Sequence, residues 1–566
     1  MHDMGGLSEQ RLLLALPLLL AMTACQGEVE GLGSKQPHGN TSGGGGVDGS
    51  GGGVSLPPGT TPAALLPARI RRLTNAEYEN SVRDVVGNTD PVTADFVPDS
   101  RQSGFTVNDA QRVDSVLVKQ LSGAATLLAG QVRSKLDTLA PCADPVNQGE
   151  ACAKTFIQAF ASKAYRRPLA DEEAAQLLVL YHAGADGAAY ADGIEETATG
   201  ILQSAAFLYL TEIGSGAPGN TVNLTPYEIA SQMSYLLRAS PPGPELLAAA
   251  VAGDLATPQG RAHAIDSGGL LTGSAPTERV VRLIREWLGT DRLEDTAKDT
   301  TAYPDFAALK PAMVAETTDF VYDVVTKGNR SLQDLLGADW TATKNADLAQ
   351  LYGASGPGSA ADDRIMLPTR RGILNQGAFL SVFAHASETA PVLRGVALIR
   401  RVTCIGVPSP ASLNITVVPL VPDPTKTMRE RLSGHLVDKV CAGCHVAIDN
   451  FGLAFELYDG MGKAQSLDHG QPVDSTVVVA TGTDVDGPYP DSNALALALS
   501  KSPSVRECFA RNIFRASFGR SDSEVEMSED DFVTYWKTQS GAASGDIIDT
   551  IRAYIQNPTF TIRRAQ

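Results

Sequence analysis

The sequence has little positive charge to spare. Its 46 Lys and Arg stand against 64 Asp and Glu, a net charge of −18 at pH 7. Nucleic-acid binding rests on basic patches that neutralise phosphates, so no nucleic-acid partner is expected. The same balance argues against broad contact with anionic lipid. Aromatics are scarce, at 6%, so Ala, Leu, Val and Ile must fill most of the core volume. Seven cysteines in 566 residues cannot be a disulfide scaffold. There is no G-x-x-x-x-G-K-[ST], H-E-x-x-H or G-x-S-x-G, so nucleotide, zincin and common hydrolase chemistry have no support.

The apolar run at 12–22, LLLALPLLLAM, is too short to span a bilayer as a mature helix and has the length of a signal-peptide core. It ends Met22-Thr23-Ala24-Cys25, which resembles a bacterial lipobox, with Cys25 as the lipidated residue. Gln26, rather than Asp, follows it, which by resemblance to lipoprotein sorting signals favours the outer membrane. Residues 1–25 therefore read as a lipoprotein signal peptide. Residues 26–67, with their Gly-rich runs, read as a flexible tether of about 35 Å. The expectation is an exported protein, attached to the cell envelope through its lipid.

The body reads as helix after helix. Thr74-Asn75-Ala76-Glu77 is a capping box, with Leu73 and Tyr78 at staple positions and Gly87 as a stop. The same grammar recurs at Thr225-Pro226-Tyr227-Glu228. Helical patterns also cover 154–165, 171–183, 194–210, 276–289, 305–326, 370–384, 505–518 and 544–556. A short alternating stretch at 472–489 suits a small β-hairpin. The fold class expected is mainly α: a multi-domain helical body with a c-type-cytochrome-like C-terminal part and a small β-hairpin.

One motif carries chemistry. Cys441-Ala442-Gly443-Cys444-His445 is C-x-x-C-H, the attachment pattern for c-type haem. Two thiols add across the haem vinyl groups and the adjacent His reaches the iron. The composition makes this a chance event on the order of 0.001 per chain. A thioredoxin-like dithiol belongs near a βαβ pattern, which is missing, and a zinc site with Cys404, Cys508 or His445 is the other alternative. Met461, sixteen residues beyond His445, is the candidate sixth ligand, with His385 and His435 as rivals. Asp449, Glu456 and Asp459 follow the motif as carboxylates for acid/base work or for capping. Asp484, Asp486 and Asp491 resemble part of a calcium loop, a weak signal. Arg166-Arg167 and Arg394 are candidate clamps for carboxylates. With Cys25 set aside for lipid, Cys142, Cys152, Cys404 and Cys508 are disulfide candidates. Cys142 with Cys152, and Cys404 with Cys508, is the natural pairing, although three connectivities are open.

Several segments together resemble an exported family of planctomycetes and myxobacteria built from consecutive domains of unknown function 1587, 1595, 1592, 1588 and 1585. The matching residues are Arg71-Arg72-Leu73-Thr74-Asn75-Ala76-Glu77-Tyr78, then Ala164-Tyr165-Arg166-Arg167-Pro168-Leu169, then Leu224-Thr225-Pro226-Tyr227-Glu228-Ile229-Ala230. They continue with Arg370-Arg371-Gly372-Ile373-Leu374, Ala390-Pro391-Val392-Leu393-Arg394-Gly395, the run from Cys441 to Gly462, and Cys508 with Ser517-Phe518-Gly519-Arg520. The resemblance divides the body into modules at 68–140, 150–212, 222–352, 366–465 (the haem-c motif) and 484–560. It departs at Asn450, where the family usually has Pro, and at Gly462-Lys463, where an Arg usually follows soon after.

What the resemblance and the motif imply is a lipid-anchored monohaem c-type protein. It would carry electrons, or do oxidoreductase chemistry, for an exported partner protein encoded nearby, with Cys441, Cys444, His445 and Met461 on one covalent haem c. Two alternatives stand beside it. One is a surface-anchored scaffold in polysaccharide use, whose C-x-x-C-H is structural. The other is a haem-based sensor of gas or peroxide.

Overall fold

The computed structural model describes residues 56–142, 149–215, 221–267, 269–356, 364–414, 423–437, 439–519 and 525–565. Cys25, the signal segment and most of the tether lie outside them. Helix accounts for 58% of the structure, and strands occur only as short antiparallel pairs, so the body is mainly α. No helix among the described residues is long and apolar enough to cross a membrane.

The capping boxes form as their sequences dictate. Strand β1 (Arg69–Arg72) leads into helix α1 (Asn75–Val86). There Thr74 accepts from the Glu77 amide, and the Glu77 carboxylate accepts from the Thr74 amide at 2.9 Å. Such a cap is worth about 1 kcal/mol. Leu73 and Tyr78 are buried together with α2 (Ser115–Ser134), α3 (Glu150–Tyr165), α4 (Asp171–Ala185) and α5 (Tyr190–Gln203) in one apolar cluster. The 68–140 and 150–212 segments thus share a single core.

A second, larger cluster draws residues from Leu66 to Phe560. Its contributors include α6 (Pro226–Arg238), α7 (Ser274–Leu288), α8 (Phe306–Thr326), α9 (Pro391–Arg401), α10 (Lys439–Leu453), α11 (Pro503–Phe518) and α12 (Ile547–Gln556). A third, small cluster gathers Leu293, Tyr303, Phe306, Met313 and Met461. Two disulfides are present among the described residues, Cys142–Cys152 and Cys404–Cys508. The second ties the segment after α9 to α11 across 104 residues.

Strand pairing joins distant parts of the chain. β1 pairs antiparallel with β2 (Tyr209–Glu212), Arg69 opposite Glu212. β3 (Thr221–Asn223) pairs with the C-terminal strand Ile562–Arg564. The hairpin expected at 472–489 forms between Val477–Val479 and Gly487–Tyr489.

Three expectations change. The helix expected at 194–210 ends at Gln203; Ser204 caps a single further turn, and 209–212 become a strand because β1 supplies backbone partners. The helix expected at 370–384 forms only at Gly377–Val382. Gly372 takes φ +64° there, against the Leu336 carbonyl, and Arg370 bonds the carbonyls of Asn375 and Gly462 at 2.6 Å, which holds an irregular turn. The folded body also starts before Ala68. Leu65 and Leu66 are buried, and Leu66 and Ala68 exchange backbone bonds with Arg564.

Candidate functional site

Helix α10 carries the C-x-x-C-H motif, and its placement starts from two glycines. A Cβ on Gly395 of α9 would collide with the Ile448 carbonyl, and one on Gly452 of α10 would collide with the Pro391 carbonyl. Their absence lets the two helix backbones touch. Ile448 and Phe451 face this contact and are buried. Cys441 and Cys444 belong to neither disulfide and are of intermediate exposure, and Cys444 packs against the large core.

His445 and Asp449 are one helical turn apart, so they share a face of α10. The His445 Nδ1 lies 2.8 Å from Asp449 Oδ1. The other carboxylate oxygen faces His435 Nδ1 at 3.3 Å, and the two imidazole rings are 4.1 Å apart. His435 sits in a separate 3-10 turn, Ser433–Leu436, which the fold brings back onto α10. With Nδ1 engaged by the carboxylate, the Nε2 of His445 is the nitrogen left for another partner. These three side chains are the one group among the described residues whose ligand atoms converge as for a metal ion, within 4.8 Å of one another.

Exposed aliphatic residues flank the two cysteines along the chain. Val437 is 84% exposed and Val440 64%, with Leu436 and Val446 also exposed. Large aliphatic side chains in that state, flanking the two cysteines along the chain, mark a surface that suits an apolar partner.

The segment after α10 is held from below. Arg394 is fully buried and donates to the carbonyls of Phe455 at 3.2 Å and Asp459 at 2.9 Å, and to Glu456 at 3.3 Å. Thr389 donates to Glu456 at 2.8 Å. Burial pushes the Glu456 carboxyl up, to about 7, against the pull of Arg394. Arg394 is therefore an internal brace. Arg166 is another, bonding the carbonyls of Phe207 and Tyr209.

The remaining sequence candidates fall elsewhere. Met461 is buried in the third cluster, and Cys444 packs on the large core. His385 is exposed, and its carbonyl accepts from Lys298 at 2.7 Å. Asp486 closes a turn by accepting from Thr481 and Gly482, and Asp491 caps the helix that starts at Ser492. The sequence reading missed the Asp449 link. The His445–Asp449 spacing of four was its available signal, whereas the approach of His435 was not visible locally.

Four family models match the chain in succession. They are described as proteins of unknown function DUF1587 (residues 71–133), DUF1595 (152–212), DUF1592 (224–354) and DUF1588 (370–468). Helix α10 lies in the last. No curated protein and no solved structure matches the chain.

Proposed function

We propose, for a chain that carries the DUF1587, DUF1595, DUF1592 and DUF1588 domains in that order, the role of a monohaem c-type protein of the cell envelope. It would carry electrons, or do oxidoreductase chemistry, for an exported partner. The observation that carries this reading is the state of α10: two cysteines that belong to neither disulfide and a histidine whose Nδ1 is taken by Asp449, with exposed aliphatic residues flanking them along the chain. This donor set fits haem c. Cys441 and Cys444 would hold the porphyrin through thioether bonds, and His445 would offer Nε2 to the iron. The haem would supply one-electron redox chemistry. Asp449 would orient the imidazole and raise its basicity, as partners of ligating histidines do. Val437 and Val440 would cover apolar porphyrin. Met461 would have to leave the third core to act as sixth ligand, and His435 would stay on Asp449 beside His445.

The upstream and downstream parts complete the proposal. Cys25 would carry lipid and anchor the protein, by preference in the outer membrane, with 484–560 as a fifth, 1585-like module. A Cys25→Ser protein recovered in the soluble envelope fraction supports the anchor, and one that stays in membranes counts against it.

One observation favours a second reading, in which His435, His445 and Asp449 bind a divalent metal ion such as zinc. The decisive measurement is a pyridine haemochrome spectrum of protein exported from a host with c-type haem maturation machinery. A c-type α-band near one haem per chain, absent in Cys444→Ser, supports the first reading. A colourless folded protein with one equivalent of zinc, lost in Asp449→Ala, overturns it in favour of the second.

A further inference from the structure

The two halves of the Cys404–Cys508 disulfide meet different surroundings. Cys404 is half-buried just past the end of α9 and takes φ +55°, a left-handed backbone that a cysteine rarely adopts. Cys508, on α11, is 1% exposed. A reagent arriving from solvent therefore meets Cys404 first.

Helix α11 brings two donors to the pair. Asn512 and Arg515 follow Cys508 at helical spacing, so the three share one face. The Asn512 amide nitrogen bonds the carbonyls of Cys508 at 2.8 Å and Arg401 at 3.2 Å. It also lies 3.4 Å from the Cys508 sulfur and 3.5 Å from the Cys404 sulfur. Arg515 gives Nε and one terminal nitrogen to Glu529, at 2.9 and 2.8 Å. That bidentate grip offsets much of its charge but fixes the guanidinium plane. The other terminal nitrogen has the Cys404 sulfur, at 3.7 Å, as its one partner among the described residues. A disulfide sulfur is a weak acceptor and gains little from such donors, whereas a thiolate carries a full charge and gains more. The donors thus favour the reduced pair over the oxidised one.

The chain also holds Cys404 in place without the S–S bond. The Arg401 carbonyl accepts from Trp287 Nε1 at 2.6 Å, and the Arg401 guanidinium donates to the carbonyls of Glu286 and Trp287 at 3.0 and 2.7 Å. Beyond the cysteine, the Ile405 amide bonds the Ile399 carbonyl at 3.0 Å.

We propose that Cys404–Cys508 is a site of thiol–disulfide exchange with a protein dithiol. A thiolate of that dithiol attacks Cys404 Sγ, the S–S bond breaks, and Cys508 leaves with the electron pair and takes up a proton. The second thiol of the dithiol, deprotonated, then attacks its own partner's sulfur, and Cys404 leaves as a thiolate beside Arg515. The dithiol becomes a disulfide, and this pair is reduced by two electrons. The site is separate from α10 and independent of the haem reading.

The test incubates the folded full-length protein with graded ratios of dithiothreitol and its oxidised form, alkylates it, and reads each cysteine by mass spectrometry. Near-UV circular dichroism records the fold alongside. The pair should open while the fold persists. Arg515→Met should make opening about tenfold harder, a shift of about 30 mV toward lower potential. In the reduced wild type, alkylation of Cys404 should reach half its limiting rate below about pH 8.5, the ordinary value for a thiol. This last readout needs no variant and decides the matter if Arg515→Met does not fold. A bond that opens only as the fold is lost, a folded variant that opens as easily as wild type, or a Cys404 midpoint at or above about pH 8.5 overturns the proposal.

Discussion

Glu212 and Glu316 are equally enclosed, 2% and 0% exposed, yet the protein holds them in opposite states. At Glu212, burial alone would raise the carboxyl, but the charges of Arg69 and Arg563 outweigh it and hold it at about 2. Glu316, on α8, has only neutral donors: Thr341 and Tyr352, each at 2.6 Å. There burial wins and pushes the carboxyl up to about 7, with those bonds and the charge of Arg370 offsetting part of it. The lesson is that burial raises a carboxyl unless close guanidinium contact outweighs it: Arg69 and Arg563 do so at Glu212, whereas the single 3.3 Å contact from Arg394 does not at Glu456.

The largest expected effect comes from removing the charge at the first region. Glu212→Gln leaves Arg563 without a carboxylate and Arg69 with only Asp109, at 3.0 Å, and should cost about 3–5 kcal/mol in a denaturant titration. A loss under 1 kcal/mol would erase the distinction between the two regions.

The next effect is in pH. Glu316 keeps its proton to about 7 in the folded protein, whereas its ordinary value is 4.5. Its contribution is therefore complete below about 4.5 and is lost as pH rises through 7, a swing of about 3 kcal/mol. Melting temperatures of wild type and Glu316→Gln should converge near pH 4 and separate by pH 8, with the variant the more stable. Parallel profiles would show that Glu316 titrates alike in the folded and unfolded protein. Glu77 and Glu212 run the other way. Both are held at about 2, so their stabilisation is present above 4.5 and disappears as pH falls toward 2.

The smallest effect refines the second region. Tyr352 donates to Glu316 and accepts from the Gly377 amide at 2.8 Å. Tyr352→Phe should cost about 1–3 kcal/mol near pH 5 and shift the Glu316 window to higher pH, read from the same melting series. A window that does not move would mean the hydroxyl has no hold on that carboxyl.

The same contrast explains what was legible beforehand. The capping boxes at Thr74 and Thr225 were readable because a cap and its partner are three residues apart. Helices α3, α4, α7, α8 and α11 followed from apolar periodicity, and the Cys142–Cys152 pair from its short loop. The strand at 209–212 was not readable, since its partners lie at 69–72 and its own residues suit a helix. On α10 the thiols and His445 stood out through their spacing. Asp449 lay one turn away and could have been paired with His445; instead it was read as a cap or an acid.

By itself, then, the sequence determined the mainly helical class, the starts and stops of most helices, and the C-x-x-C-H constellation. Each rests on residues within about one helical turn of one another, where backbone geometry alone sets the distance. Only the tertiary structure decided that Glu212 serves arginines from both ends of the chain, that Met461 sinks into a separate core, and that His435 returns to Asp449. Those outcomes depend on which surfaces are buried against each other, and no local pattern carries that information.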